Sequence, residues 1–206
     1  MNRKNQLAVD RFHARCRELA VNCVVQVGVG RGGELAAMLP AIGYPRLIGF
    51  EPSPTFKKFW DAKGYPGEYL VAAVCERDGK ARFYPVSDAP MKRAEAGTLY
   101  KSGDEPGWVD VSTTTLDTFM RGMPDLANYK ILLWMDCEGA ELDALKCASS
   151  FLRSCVAVEC EFHDRQHEPG RLPAPPRSQV SRLLESAGLR YAFKLCRAEA
   201  AFFREA

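Results

Sequence analysis

Cys23-Val-Val-Gln-Val-Gly-Val-Gly-Arg-Gly-Gly33 is a short β-branched run that stops at a cluster of glycines. An apolar run of this length without alternation suits a strand buried on both faces, as in parallel sheets. Gly28, Gly30, Gly32 and Gly33 then permit a tight turn in which backbone N–H groups, and the start of a helix expected across Glu34 to Leu39, approach a ligand. The next apolar run, Arg46-Leu-Ile-Gly-Phe50, ends at Glu51-Pro52. A carboxylate at that strand end is placed to accept hydrogen bonds from ribose hydroxyls. The order strand, glycine turn, helix, strand, carboxylate points to an α/β fold holding an adenosine-type ligand. The glycines fit a G-x-G-x-G reading through Gly28, Gly30 and Gly32, and come near a dinucleotide spacing through Gly28, Gly30 and Gly33. The turn alone does not choose between ligands, and tight strand–helix packing is its ligand-free alternative.

Upstream, Leu7, Phe12, Cys16 and Leu19 recur at helical spacing, which predicts a lead-in helix within residues 1–20 packed on the rest. Downstream, a helix is expected from Thr55 to Ala62 and a third strand from Tyr69 to Val74. A fourth strand, Ala81 to Val86, is expected to enter by a hairpin at Asp78-Gly79. Ser87 to Trp108 reads as a loop near the site mouth. Val109 to Thr115 is β-prone and runs into a short helix at Leu116 to Met120. Ile131-Leu-Leu-Trp-Met135 is a core strand halted by Asp136-Cys137-Glu138-Gly139, and a helix from Ala140 to Lys146 and a strand from Cys155 to Cys160 repeat the unit. After a Pro-rich loop from Arg165 to Arg177 and a helix from Ser178 to Ser186, Leu189 to Leu195 and Ala200 to Phe203 predict a closing antiparallel hairpin. The fold expected is one Rossmann-like α/β domain over residues 1–206, a mostly parallel doubly wound sheet ending in that hairpin.

Of 206 residues, 47% are hydrophobic, enough for one substantial core, and no composition break suggests a second domain. Lys and Arg number 28 against 26 Asp and Glu. So small an excess gives no strong field for nucleic acid or an anionic membrane surface. The first residues lack the hydrophobic stretch of a signal peptide and no run is long enough to cross a bilayer, so a cytoplasmic protein is expected. The eight cysteines form no C-x-x-C pair and lie mostly in apolar runs, reading as buried thiols of a reducing compartment.

Two features favour S-adenosylmethionine over NAD as the ligand. Class I methyltransferases end their sheet in a reversed strand, which the closing hairpin would supply, and 206 residues leave little room for a separate substrate domain. Val25-Gln-Val-Gly-Val-Gly-Arg-Gly32, Phe50-Glu-Pro-Ser-Pro54, Ala73-Val-Cys-Glu-Arg-Asp-Gly79, Ser112-Thr-Thr-Thr-Leu-Asp117 and Met135-Asp-Cys-Glu-Gly-Ala-Glu141 resemble, in this order, segments of the FkbM-type methyltransferases. The resemblance runs from about residue 23 to residue 163. It implies a class I methyltransferase fold, S-adenosylmethionine as donor and O-methylation, often of sugar or polyketide hydroxyls. Carried over by position, Gly28 and Gly32 support the methionine end, Glu51 with Pro52 the ribose, Ala73 and Val74 the adenine, and Asp136 faces the reacting centre. The sequence departs from the family pattern at Gln26, usually Asp, and at Gly30, usually Asn. A Gln side chain still accepts a hydrogen bond from the cofactor's ammonium but lacks the charge that roughly doubles its strength.

Methyl transfer from a sulfonium is an in-line displacement in which alignment and a proton acceptor are the enzyme's main contributions. Asp136 and Glu138 follow a strand at the carboxyl end of the sheet, where open α/β folds hold ligands. Asp136 is the first candidate for the base; its competing role is a cap on the Ala140 helix. Glu159, Glu161 and His163 follow the next strand, and His163 is a further candidate base or a solvated rim residue. His163 and His167 with the carboxylates form a weak metal pattern, and no metal is expected. Tyr100 and Trp108 are candidate sugar-stacking residues or loop anchors. The main reading is an O-methyltransferase acting on a small-molecule hydroxyl, a sugar or a glycosylated or polyketide metabolite. The alternatives are a cofactor-binding protein of the same fold without turnover, and an NAD-dependent oxidoreductase. Nucleic-acid methylation fits neither the charge nor the absence of an Asn-Pro-Pro-Tyr-like segment after the Ile131 strand.

Overall fold

A computed structural model describes residues 3–32, 38–85, 97–100, 107–161, 177–195 and 199–205. The expected helix at Glu34 to Leu39 lies largely outside these residues, as do most of the Ser87 to Trp108 loop, the Arg165 to Arg177 loop, His163, His167 and Cys196.

Helix α1 (Arg3–Glu18) leads into β1 (Cys23–Val27), which is buried along its whole length. A 3-10 turn at Leu39–Ile42 precedes β2 (Arg46–Phe50), and α2 (Pro54–Lys63) starts with Pro54 in its first turn, where the missing N–H costs nothing. Then come β3 (Glu68–Leu70), β4 (Ala73–Val74), β5 (Gly79–Phe83), β6 (Val109–Thr114), α3 (Leu116–Gly122), β7 (Ile131–Met135), α4 (Glu141–Lys146), α5 (Ser149–Ser154), β8 (Cys155–Glu161), α6 (Arg177–Ser186), β9 (Leu189–Lys194) and β10 (Glu199–Arg204).

Seven strands form one sheet in the order β3-β2-β1-β7-β8-β10-β9. Pairing is parallel from β3 to β8, and β10 runs antiparallel to both β8 and β9. This is a mixed α/β fold with its reversed strands at the C-terminal edge, as the closing hairpin predicts. One face packs Val25, Ile48, Leu133, Val158 and Phe202 against Leu116, Phe151, Val180 and Leu184 of the helices. The other packs Val24, Leu132, Ala157 and Phe203 against Phe12 and Cys16 of α1. Both faces are therefore covered, as the β-branched runs require.

Three expectations need correction. Leu7 is 72% exposed, so only Phe12, Cys16 and Leu19 of the proposed stripe face the core. The Tyr69 to Val74 run is two strands: β3 ends the large sheet, whereas β4 belongs to a separate three-stranded sheet of order β4-β6-β5. The hairpin expected at Asp78-Gly79 does not pair its flanking strands, because β6 lies between β4 and β5. Asp78 instead accepts hydrogen bonds from the Thr115 backbone N–H at 2.9 Å and the Thr118 hydroxyl at 2.7 Å, tying the start of α3 to this small sheet.

Candidate active site

The glycine turn is held open by its own backbone and by its neighbours. Gly28 adopts φ 85°, and a Cβ built on it would lie 1.7 Å from the Asp136 carbonyl oxygen. Only glycine allows β1 and β7 to end this close together. The Gly28 N–H donates to the Phe50 carbonyl at 3.0 Å, and that of Asp136 to the Val27 carbonyl at 2.9 Å. Trp60 on α2 donates its indole N–H to the Gly30 carbonyl at 2.9 Å. Its ring lies where a Cβ on Gly32 would sit, 2.9 Å from Cζ2.

Glu51 is buried at the end of β2. Its Oε2 accepts from the Gly30 N–H at 2.9 Å and its Oε1 from the Ser53 N–H at 2.8 Å. Burial raises its pKa and these backbone hydrogen bonds oppose the rise. Gln26, also buried, accepts from the Tyr65 hydroxyl at 3.1 Å and donates weakly to the Gly28 carbonyl at 3.3 Å. Its amide is thus oriented by a tyrosine from beyond α2.

These groups open onto a cavity of about 470 Å³, within the usual size of a small-molecule site. Gln26, Gly28, Gly30 and Gly32 line it on the β1 side, with Glu51 and Pro52 at the end of β2. Ala73 and Val74 of β4 form a further wall, and Asp136 and Glu138 stand at the end of β7. The structure thus brings together every sequence-selected cofactor residue and two of the three candidate bases.

Asp136 does not cap α4. That helix has no side-chain cap, and its Glu141 reaches back through Oε1 to the Cys137 and Gly139 N–H groups at 3.1 and 3.2 Å. Asp136 is hydrogen-bonded instead to Glu161, whose pKa is raised mainly by burial; that hydrogen bond opposes the rise, and Glu138, Glu141 and Glu199 add to it. Asp136, Glu138 and Glu161 each offer one carboxylate oxygen within 4.8 Å of the others. Tyr100 donates its hydroxyl to Asp143, and the Arg82 guanidinium stacks 4.5 Å above the half-exposed Trp108 ring. Neither aromatic lines the cavity among its described residues.

Sequence reading passed over Thr98, which is buried, lines the cavity and donates to the Glu138 carbonyl at 2.9 Å. It also left Trp60 and Tyr65 unassigned. None of these carries a local motif; each reaches the turn from a distant segment. Glu161 was visible only as an acidic residue at a strand end.

The profile described as Methyltransferase FkbM domain matches residues 15–191. The chain belongs to the FkbM methyltransferase family. That match covers the glycine turn, Glu51 and the Asp136 turn alike. Solved structures are similar to the FkbM chain at low sequence identity, and the first two below share its fold. The sugar N-methyltransferase KedS8 from Streptoalloteichus sp ATCC 53650 is 12% identical, with a TM-score of 0.51 over 96% of this chain and 85% of that one. DesVI from Streptomyces venezuelae is 10% identical, with a TM-score of 0.51 over 99% and 93%. The Burkholderia thailandensis 1,6-didemethyltoxoflavin-N1-methyltransferase, solved with S-adenosylhomocysteine, is 13% identical, with a TM-score of 0.45 over 98% and 78%. No curated protein matches the sequence. No helix among the described residues is long and apolar enough to cross a membrane.

Proposed function

We propose that the chain is an S-adenosylmethionine-dependent O-methyltransferase acting on the hydroxyl of a small molecule, a sugar or a glycosylated or polyketide metabolite. The observation that carries this reading is one cavity lined both by the glycine turn with Glu51 and by the carboxylates Asp136, Glu138 and Glu161. The glycines leave room for the methionine end at Gly28, Gly30 and Gly32, with Gln26 as an acceptor for its ammonium. Glu51 accepts from the backbone of Gly30, Ser53 and Val29 and keeps one lone pair for a ribose hydroxyl, and Ala73 and Val74 offer an apolar surface to the adenine. Bound there, S-adenosylmethionine supplies a methyl group already activated on a sulfonium.

This chain's residues then have two tasks. The turn, Glu51 and the β4 wall fix the donor so that the acceptor oxygen attacks in line. Asp136 and Glu138 hydrogen-bond the acceptor hydroxyl and receive its proton, with His163 as a further candidate base. A hydroxyl acceptor needs such a proton acceptor, which an acidic wall provides. Family membership supports methyl transfer, and the fold shared with KedS8, described as a sugar N-methyltransferase, makes sugars the first acceptors to try. The reading places the enzyme in the cytoplasm, where its buried free thiols stay reduced.

Calorimetric titration with S-adenosylmethionine, S-adenosylhomocysteine and NADH tests the donor. Adenosyl-ligand binding followed by methylation of a sugar hydroxyl in an acceptor panel is the expected result. A preference for NADH overturns the reading, and donor binding without transfer to any acceptor favours a binding protein of the same fold.

A further inference from the structure

The ends of β7 and β8 bring more carboxyl groups to the cavity than aligning a methyl group requires. Glu161 leaves the end of β8 beside the end of β7, where Met135 pairs with Cys160, so the parallel register sets Asp136 and Glu161 side by side. Both line the cavity, and their carboxylate oxygens lie within 4.8 Å of one another. Two ionised carboxylates this close repel and neither can donate, so sharing one proton is the arrangement that lets them hydrogen-bond.

Carboxyl groups face the pair from several elements. Glu138 stands on the turn, Glu141 on α4 and Glu199 on β10, the last paired with Glu161 across the strands. Glu51 also lines the cavity, and Arg31 of the glycine turn is the one cation among the described residues lining it. Burial of Glu161 and these carboxyl groups favour the protonated form, against the Asp136 hydrogen bond, which favours ionised Glu161; Asp136 itself is exposed. A cation entering within ~4–6 Å favours the ionised form by ~10- to 1000-fold and reverses the preference.

We propose that Asp136 and Glu161 form a proton-sharing pair that responds to the charge of the donor: it holds a proton in the empty site, releases it when the sulfonium of S-adenosylmethionine enters, and regains one from the acceptor hydroxyl during transfer. The proposal rests on the cofactor reading above and makes Glu161 a catalytic residue. As the acceptor oxygen bonds to the methyl carbon, the carbon–sulfur bond breaks with its electron pair passing to sulfur, and the hydroxyl proton passes to the pair. S-adenosylhomocysteine lacks the positive charge and coexists with a protonated pair, as the empty site does. The cavity therefore discriminates donor from product by protonation as well as by shape.

Calorimetry with S-adenosylmethionine and, separately, S-adenosylhomocysteine, each in two buffers of unequal ionisation heat over a pH series, measures the linked protons. The sulfonium lowers the amino pKa of S-adenosylmethionine below that of S-adenosylhomocysteine, so the two are compared at pH values low enough for both amino groups to stay protonated, where they add nothing to the difference. The expected result is a proton released by S-adenosylmethionine and not by S-adenosylhomocysteine. Between the titration of the pair with the sulfonium bound and its higher titration in the empty site, the affinity ratio of donor to product rises by about tenfold per pH unit, and it is flat on either side. Glu161→Gln keeps a donor for Asp136 but has no proton to release, so it binds both ligands and abolishes the difference; Asp136→Asn does the same from the other side. Equal proton release by the two ligands, or a difference that survives both substitutions, overturns the proposal alone. Failure of either ligand to bind overturns the cofactor reading, and this proposal with it.

Discussion

Glu51 holds the glycine turn in shape before it meets a ligand, since one oxygen accepts from Gly30 and the other from Ser53. Replacing it with Gln presents an amide NH₂ to one of those N–H groups and removes the charge. Hydrogen bonds to charged groups contribute roughly 1.5–3 kcal/mol, so Glu51→Gln weakens S-adenosylmethionine binding by about 10- to 100-fold in calorimetry. Gly28→Ala acts on the backbone instead. A left-handed φ and a carbonyl in the path of the new Cβ together destabilise by more than ~1 kcal/mol. A lowered thermal midpoint by circular dichroism checks this. Glu141 is buried, and its Oε2 has no hydrogen-bond partner. Burial raises its pKa, so the folded chain keeps a proton that the unfolded chain releases. Its contribution to stability is complete below the ordinary carboxylate pKa and declines as pH rises toward the raised one. Glu141→Gln removes that decline, and the midpoint difference between variant and parent grows with pH across this range. At this scale the site was legible where one residue type must follow a strand end, as with Gly28 and Glu51. It was not legible where the partner comes from afar, as Trp60 and Tyr65 do.

Elements are joined here by short polar clasps. The Thr115 hydroxyl accepts from the Thr118 N–H at 2.9 Å and caps α3. Thr115→Ala is expected to cost about 1 kcal/mol, read from chemical denaturation. Two residues on, Asp117 accepts from the Ser150 and Phe151 N–H groups at 2.8 and 2.9 Å, closing the first turn of α5 from the flank of α3. The Thr-Thr-Leu-Asp segment that carries the family resemblance therefore works as a joint between helices. Strands β1, β2, β7 and β8 were readable because burial on both faces leaves continuous apolar runs. The change of sheet between β3 and β4 was not, since Tyr69 to Val74 stays apolar through the break and periodicity does not record which neighbour a strand takes. For the same reason β6 could be read as a strand but not as the middle of a small sheet.

Across the whole molecule, the parallel half of the large sheet supplies the cavity and the antiparallel half secures its edge. Arg204 at the end of β10 donates to the carbonyls of Cys155 at 2.9 Å, Ala187 at 3.0 Å and Leu152 at 2.6 Å, linking β8, α5 and the end of α6. Arg204→Ala leaves three carbonyls without these partners and is expected to cost about 2–4 kcal/mol in thermal or chemical unfolding. Burial pushes the thiols of Cys16 and Cys23 up to about 12. Both are therefore expected to resist a thiol reagent in the native protein at mildly alkaline pH and to react once it is unfolded. The reversed ending was legible because two β-prone runs lie a short turn apart. Its placement has a consequence for biosynthesis. In chain order β10 is made after β9, yet it lies between β8 and β9. A growing chain on the ribosome can assemble the five parallel strands early, but β8 keeps a bare edge until residue 204 has emerged. Nascent chains stalled before Glu199 should therefore remain open to protease and to chaperones, however complete the cavity already is.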